Sequence, residues 1–291
     1  MNLIPIQYHN RKYPVEINAG IYETAAHFDI EKIETHLPCS LHTEYSYGKR
    51  NMSSSVINNF PTIRTAHKDY IPQLWFNKRW AEEFADFITT ITENKSVIKI
   101  IEIHPPFKDY CQSLEMFIEI YKIFEEKILT ILPHIDILIE NRGGSQYKGG
   151  KFLISKNYDV VRLSELIEIT GLRLKIVLDF PQLFSSHLRV SENTEKSISN
   201  ILQPLTVCRK CIKGLHIWGK RKNVTGRWIA HQGNLNTYFD NNADIKKQFM
   251  TQLKELFNDN IKRYFVPEVN SSDIDLESII EDFKNTGFKF S

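Results

Sequence analysis

Six histidine and acidic residues lie at, or one residue inside, the C-terminal ends of short β-like segments of this 291-residue chain. They are His42, His104, Glu140, Asp179, His216 and Glu268. From His104 to His216 the successive intervals are 36, 39 and 37 residues, about one strand, one helix and two loops per step. Imidazole and carboxylate groups together suit zinc, manganese or iron. The pattern therefore predicts a metal site assembled from distant parts of the sequence.

Glu140 has the central role in this predicted site. It ends the apolar segment IDILIE, and an ionised carboxylate beside such a strand is costly unless it is paired or binds a cation. Arg142, two residues later, is the alternative partner. The two histidines that precede Glu140 in the chain would complete one cation site, and the three ligands that follow it would complete a second. Glu140 is then the bridging residue.

The candidate ligands also have simpler structural interpretations. Asp179 could cap the next helix, because Pro181 follows closely. His216 could be a hydrogen-bonded core histidine, and His42 and His104 could be polar substrate-binding groups. Their common position at the ends of strands favours metal binding, because the C-terminal ends of parallel barrel strands face one shared mouth.

Further residues are candidates for acid–base chemistry and substrate binding. His231, in the irregular segment WIAHQGNLNTYF, could shuttle a proton, bind a third metal or be an ordinary loop residue. We predict Glu140, His231 and Glu268 as the catalytic residues. The basic segment 219–228 follows His216 and could hold phosphate, although a charged run is as often a solvated face. The predicted substrate-binding residues are Arg142, Gln182, Trp218, Lys220, Arg221 and Arg227.

The elements that must position these residues alternate between apolar runs and helical periodicity. Strands are predicted over 98–103, 135–139, 173–178, 212–217 and 262–266. Helices are predicted over 112–131, 160–169, 192–207 and 243–258. VEINAG (15–20) is predicted as the first strand and SLHTEY (40–45) as the second, with an eighth strand in 220–242.

This alternation predicts an α/β fold, a single (β/α)8 TIM barrel that occupies residues 1–291 as one domain. An open doubly wound sheet is the alternative. It is disfavoured because no GxGxxG follows the first strand and because ligand-type residues end six strands rather than one switch point.

The composition excludes several classes of protein. The apolar content of 42% is sufficient for a core, and the formal net charge of +2 gives no bulk signature of a nucleic-acid-binding protein. No apolar run reaches membrane-spanning length, and the N-terminus lacks the apolar core of a signal peptide. We therefore expect a cytoplasmic protein with no membrane partner.

Between about residues 15 and 270 the chain resembles the xylose-isomerase-like TIM-barrel superfamily, and its ligand pattern resembles that of endonuclease-IV-type AP endonucleases. The matching segments are SLHTEY, IEIHPP, IENRGG, VLDFPQ, LHIWGK and VPEVN. The resemblance implies a barrel with two divalent ions bridged by Glu140. Zinc or manganese is expected, with iron as an alternative. The implied activity is metal-dependent hydrolysis of a phosphate ester, in a small phosphorylated substrate or a nucleic acid.

The sequence departs from this family pattern at two points. The family has a histidine three residues after the aspartate, where this chain has Gln182. It has Asp-x-His in the next segment, where Ile229 and Ala230 precede His231. A third metal site is therefore not supported.

Three other functions remain open. Sugar isomerases and epimerases of the superfamily use one divalent ion, for which Glu140, Asp179, His216 and Glu268 would suffice. Multinuclear non-haem iron oxidases that modify peptides are built on a similar barrel with similar ligands. A non-catalytic binding barrel that retains some ligands is the third. Metal identity and number separate these functions.

Overall fold

Eight parallel strands close into a barrel in the computed structural model, which describes residues 1–47, 50, 52–143, 150–187 and 195–291. The strands are β1 (Asn2–Gln7), β2 (Ile21–Ala26), β3 (Cys39–Thr43), β4 (Ile98–Ile103), β5 (Asp136–Glu140), β6 (Lys175–Asp179), β7 (Ile212–Ile217) and β8 (Arg263–Pro267). Each strand pairs with the next, and β8 pairs with β1, so the sheet has no open edge. The TIM-barrel prediction is confirmed, and the open doubly wound sheet is excluded.

Helices pack outside the strands. They are α1 (Pro61–Thr65), α2 (Lys78–Ile91), α3 (Leu114–Ile131), α4 (Asn157–Thr170), α5 (Phe180–His187), α6 (Glu195–Leu202), α7 (Leu235–Tyr238), α8 (Ala243–Leu256) and α9 (Asp273–Thr286). Several begin at a polar residue whose side chain accepts a hydrogen bond from a free backbone N–H of the first turn, as Ser113 does from Met116. Such caps fix the residue at which each of these helices begins.

The remaining elements are short helices and strands outside the eight barrel strands. Three 3₁₀ helices span Val56–Asn59, Lys95–Val97 and Gln203–Cys208. Two antiparallel pairs join His67–Lys68 to Ile71–Pro72 and Lys220–Lys222 to Trp228–Ala230. A last strand, Lys289–Phe290, pairs with β1. None of the helices in the described ranges has the length and apolar character needed to cross a membrane.

The N-terminal strand assignments were wrong. Residues 15–20 form a turn and an extended loop, with Val15 exposed, and the first strand is Asn2–Gln7. The segment 220–242 holds a short hairpin and α7, and no barrel strand. Pro5 made β1 look unlike a barrel strand, because proline lacks a backbone donor. His42 therefore lies on the third strand and His104 follows the fourth, one position later in each case than predicted.

From residue 98 onward, apart from the strand predicted in 220–242, the predicted elements correspond to elements of the structure. The strands 98–103 and 212–217 have the predicted bounds, and the other three begin one or two residues later. The helix predicted over 192–207 is divided into α6 and a 3₁₀ helix, and residues 192–194 lie outside the described ranges.

The inside of the barrel is closed below the mouth by an apolar floor. Its members are Ile6, Tyr8, Ile100, Leu138, Val177 and Val266, all buried. Gly214 belongs to the same level, because a Cβ atom there would lie 2.9 Å from the Val177 side chain. A larger side chain at position 214 would compete with Val177 for this space. The floor separates the mouth from the opposite end of the barrel.

Candidate metal centre

The polar layer at the mouth follows from the two-residue period of the strands. Successive side chains of a strand point to opposite faces, so the residue two positions beyond a floor residue also points inward. On β4, β5, β6 and β8 this step leads from Ile100, Leu138, Val177 and Val266 to Glu102, Glu140, Asp179 and Glu268. On β7 the same step leads from Gly214 to His216. A layer of carboxylates and imidazole therefore rests directly on the apolar floor.

The first group of potential ligands lies on the β3–β5 side. Ligand atoms of His42, Glu102, His104 and Glu140 all lie within 4.8 Å of one another. His104 Nε2 lies 2.8 Å from Glu140 Oε2, and the rings of His42 and His104 have centroids 4.7 Å apart. The structure thus brings together the three residues predicted for the first cation and adds Glu102 to them.

The second group contains Glu140 again, with Asp179 and His216, within the same 4.8 Å limit. Glu140 is therefore common to both groups, as expected of a bridging residue. Asp179 also caps the following helix, which is the structural role considered for it in the sequence analysis. Its Oδ1 accepts the backbone N–H of Gln182 at 3.0 Å in the first turn of α5, and its Oδ2 accepts Nε1–H of Trp218 at 3.0 Å. These bonds fix the carboxylate without exhausting its lone pairs.

Glu268 lies beside this second group. Its Oε1 is 3.2 Å from His216 Nδ1, and its Oε2 is 3.3 Å from His231 Nδ1. It also forms a third group within 4.8 Å, with His42 and Glu23 of β2. Glu268 is thus in contact with His216, although the group that contains Asp179 and Glu140 does not include it.

The described protein groups at the mouth carry more negative than positive charge. Within the described residues, five carboxylates converge there, from Glu23, Glu102, Glu140, Asp179 and Glu268. Arg142 is the guanidinium paired with them, with Nη1 3.4 Å from Glu140 Oε1. Burying so many carboxylates together is strongly unfavourable unless cations or protons compensate their charge.

The pKa values respond to this imbalance in opposite directions. Burial and then the negative charges of neighbouring carboxylates raise the pKa values of Glu23 and Asp179 well above their usual range. Burial also acts to raise the pKa of Glu140, but Arg142 and His104 outweigh it and hold that pKa well below the usual range. For His216, burial acts downward, and Glu102 and Glu268 outweigh it to raise the pKa well above its usual value.

Several buried ligand atoms have no hydrogen-bond partner, which tests whether a cation fits. They are Nδ1 of His42, Nδ1 of His104, Oε1 of Glu102 and both ring nitrogens of His216. The His216 nitrogens lie 3.2 Å from carboxylate oxygens on both sides, yet neither contact has hydrogen-bond geometry. Buried polar atoms are normally satisfied. Imidazole and carboxylate atoms that face one another without hydrogen bonds suit shared cations, so the residues fit a metal centre.

A cavity of about 600 Å³ opens above this layer. Most of its described lining is aromatic or imidazole, with Tyr8, His27, Tyr45, Tyr47, Phe152, Trp218 and His231 among the residues. His42, Glu23 and Glu268 form its base. His231 stacks on Trp218 with ring centroids 4.6 Å apart, and its backbone has a positive φ of 59°. A non-glycine residue in this region is uncommon and is held there by its surroundings.

The predicted substrate-binding residues divide into two sets. Arg142, Gln182 and Trp218 line the cavity. Gln182 Nε2 donates to Glu140 Oε1 at 2.9 Å and to Asp179 Oδ2 at 2.8 Å, so this side chain joins the two carboxylates. It occupies the position at which the family pattern has a histidine.

The basic residues of the 219–228 segment have a different place. Lys220, Arg221 and Arg227 are not among the residues that line the cavity. Lys220 lies against the rings of Trp228 and Tyr238, and Arg221 donates to both oxygens of Asp275 at 2.9 and 3.0 Å. Arg227 is exposed. In this structure, Lys220 and Arg221 attach the hairpin to α7 and α9.

Sequence reasoning missed Glu23 and Glu102. Glu102 stands in the apolar run IKIIEI, two residues before His104, and a charged residue on the face of a buried strand that carries a ligand was the available signal. Glu23 lies on β2, which was not recognised as a strand. Its position carried no comparable signal.

Comparisons with known proteins give the fold. No family model matches the chain, and no curated protein matches it. AsfvAP, in the crystal structure of AsfvAP:AG, superposes with a TM-score of 0.50 at 11% identity, over 91% of this chain and 97% of that chain. D-psicose 3-epimerase from Clostridium cellulolyticum H10 with D-tagatose has a TM-score of 0.44 at 12% identity, over 97% and 92%. The likeness to AsfvAP is one of fold, and that fold is a TIM barrel.

Proposed function

We propose that the protein is a metal-dependent hydrolase of phosphate esters with two divalent cations at the barrel mouth. The observation that carries the proposal is the membership of Glu140 in two ligand groups, one with His42 and His104 and the other with Asp179 and His216. A shared carboxylate is the usual means of holding two cations a few ångströms apart. Such pairs stabilise the attacking and leaving oxygens of phosphoryl displacement.

The remaining ligand-type contacts support the same arrangement. Glu268 contacts His216 from the side opposite Glu102, and Asp179 is oriented by Trp218 and by the first turn of α5. Hydrogen bonds of this kind fix the orientation of metal-binding groups. When bound, the two cations would lower the pKa of a water molecule and neutralise phosphate charge.

The other residues of the cavity would bind the substrate and transfer a proton. Arg142 lines the cavity and can donate to phosphate oxygens while it remains paired with Glu140. His231 lies at the cavity wall with Nδ1 directed at Glu268, which leaves its other ring nitrogen as the candidate to protonate a leaving oxygen. The aromatic walls suit a sugar or base ring. These placements support Arg142, rather than Arg221 or Arg227, as the residue proposed to bind the phosphate.

Elemental analysis and a substrate screen test the proposal. We expect two Zn²⁺ or Mn²⁺ per chain in protein purified without chelators. Hydrolysis should be measured on an activated phosphodiester, on small phosphorylated sugars and on DNA with an abasic site. Abasic DNA is included because AsfvAP, an AP endonuclease, shares the fold. A protein that binds no divalent cation, or that hydrolyses none of these substrates with two cations bound, would contradict the proposal.

Sugar isomerisation or epimerisation is the second candidate. It is favoured by the chain of contacts that joins Glu140, Asp179, His216 and Glu268, the four ligands that a single cation would need. In that reaction one of the two glutamates would act as the base. One bound ion per chain, with activity on a ketose or its phosphate and none on phosphodiesters, would favour this candidate over the hydrolase.

A further inference from the structure

We propose that Glu102 is a ligand of the cation shared by His42, His104 and Glu140, which gives that cation two imidazole and two carboxylate donors. The inference rests on the proposed dinuclear centre and adds a ligand to it. Glu102 has no counterpart among the six positions through which the sequence resembles AP endonucleases. The consequence is a first cation site with more negative charge than two histidines and one glutamate provide.

The backbone places Glu102 within reach of this site. On β4 it points inward two residues beyond the floor residue Ile100 and two residues before His104. In the β3–β4 ladder Glu102 is the direct partner of His42. Side chains of directly paired residues project from the same face of a sheet. Glu102 is therefore flanked by both histidines of the first group, one just beyond the end of its own strand and one on the neighbouring strand.

The contacts of Glu102 differ from those of two buried glutamates away from the mouth, Glu83 and Glu125. Glu83 accepts hydrogen bonds from the backbone of Thr62 and Ile63, and Glu125 accepts them from Tyr121 and from the backbone of Leu174. Glu102 is only 3% exposed, and its Oε1 has no hydrogen-bond partner. This oxygen lies 3.5 Å from His42 Nδ1, which also has no hydrogen-bond partner. Two facing, unpartnered ligand atoms are the arrangement expected around a cation.

The second oxygen of Glu102 connects the two ligand groups. Oε2 lies 3.2 Å from His216 Nε2, without hydrogen-bond geometry. Glu102 thus reaches from the first group toward the second beneath Glu140. The charges of the described residues also support its role, because two divalent cations together with Arg142 would match the charge of the five carboxylates at the mouth.

The proposal makes a specific prediction about metal preference. Carboxylate-rich sites favour Mn²⁺ more than imidazole-rich sites do, whereas imidazole ligands favour Zn²⁺. Glu102→Gln should therefore raise the dissociation constant for Mn²⁺ at one of the two sites by about tenfold or more, the lower bound for supporting residues of metal sites. Zn²⁺ affinity should fall less. Both constants are measured by calorimetric titration of chelator-treated protein, with bound ions counted by elemental analysis.

Glu125→Gln is the matched control, because it makes the same change at a buried glutamate of α3 away from the mouth. Its Mn²⁺ and Zn²⁺ affinities should equal those of the parent. Circular dichroism and thermal unfolding establish that each variant is folded. If Glu102→Gln does not fold, Glu102→Asp replaces it. The shorter side chain keeps the charge and withdraws the oxygens, so Mn²⁺ affinity at one site should still fall.

The outcomes separate this inference from the proposed function. If the parent binds two Mn²⁺ ions and the folded Glu102 variant binds both with unchanged affinity, Glu102 is no ligand, while the dinuclear centre stands. If the parent binds no cation at all, the centre and the role of Glu102 both fail. Loss of affinity for Mn²⁺ at one site, with the second site retained, supports the inference.

Discussion

The two ends of the barrel both bury charged side chains, but they treat them differently. At the end opposite the mouth, Arg263 begins β8 with only 1% of its surface exposed. Each of its side-chain nitrogens donates a hydrogen bond, to both oxygens of Asp259 and to the backbone carbonyls of Arg209, Ile212 and Ile261. Its guanidinium also lies over the Phe257 ring, with Cζ 4.2 Å from the ring centroid.

At the mouth, comparable burial leaves ring nitrogens of His42, His104 and His216 and an oxygen of Glu102 without hydrogen bonds. At the lower end, protein atoms alone provide the hydrogen bonds of the Arg263–Asp259 pair, which is what a stabilising ion pair requires. At the mouth, protein atoms alone do not satisfy these imidazole and carboxylate groups, which are of the types that bind cations. The difference agrees with the general division of TIM barrels into a stabilising N-terminal end and a functional C-terminal end.

The largest expected effect comes from removing the residue shared by both ligand groups. Glu140→Ala should abolish binding of two cations and lower hydrolytic turnover by about a thousandfold or more, since the cations supply several kcal/mol of transition-state stabilisation. Elemental analysis and initial rates on an activated phosphodiester provide the measurement. A variant with two bound cations and undiminished turnover would contradict the bridging role of Glu140.

The complementary change at the lower end should affect stability alone. Arg263→Met leaves Asp259 without its partner and should lower the free energy of unfolding by about 3 kcal/mol, as for other broken buried pairs. Metal content and turnover of the folded variant should be those of the parent. Urea unfolding of chelator-treated protein measures the loss, with the exposed Arg64→Met as the control. If Arg263→Met altered metal stoichiometry, the two ends would not be independent.

A smaller effect is expected from a residue that orients a ligand. Trp218→Phe removes the N–H that donates to Asp179 at 3.0 Å but keeps an aromatic ring against His231. Metal affinity at the second site should fall by about tenfold, the lower end of the range for such partners. Calorimetric titration of both sites gives the result, and the first site serves as the internal control. Equal losses at both sites would show that the ring, rather than this hydrogen bond, matters.

The smallest expected effect concerns pH at the lower end. Burial acts to raise the pKa of Asp259, but hydrogen bonds from Arg263 and the backbone of Ile261 outweigh it and lower that pKa. A lowered pKa in the folded state contributes stability above the unfolded value of about 4, and this contribution is lost as the pH falls through the folded value. Asp259→Asn should therefore be less stable near neutral pH and show a shallower loss of stability below about pH 4.

Unfolding of chelator-treated parent and Asp259→Asn protein between about pH 2 and 7 provides this measurement. Chelation removes metal binding at the mouth as a source of pH dependence. Parallel stability curves for the two proteins below about pH 4 would show that Asp259 does not contribute in the expected direction.

How far the sequence predicted the structure depended on how regular each region is. From residue 98 onward, apolar strands alternate with helices, and the ends of four strands were predicted to within two residues, although the strand predicted in 220–242 does not exist. Near the N-terminus, β1 contains Pro5 and β2 carries Glu23 toward the mouth, so neither reads as a buried strand. Pairing with β8 and β3 decides that these segments are strands.

The candidate site shows the same limit. The six residues were predicted as ligands because each lies at a recognisable strand end and within a segment that resembles a family motif, and the structure brings them to the mouth. Glu102 was missed because it lies inside the apolar run IKIIEI, whereas the search followed the polar residues that end each run. Arg221 was assigned to phosphate because it follows His216 in the chain, whereas in space it is bound to Asp275.

By itself the sequence determined the barrel, through the alternation of buried strands and amphipathic helices. It also determined the ligand types at the mouth, through the polar residue that follows each apolar run. Only the tertiary structure decided which of these groups meet. Barrel closure sets His42 of β3 beside Glu102 of β4 and places Glu140 between the two ligand groups. Distances between strands are fixed by register and closure, which no local stretch of residues encodes.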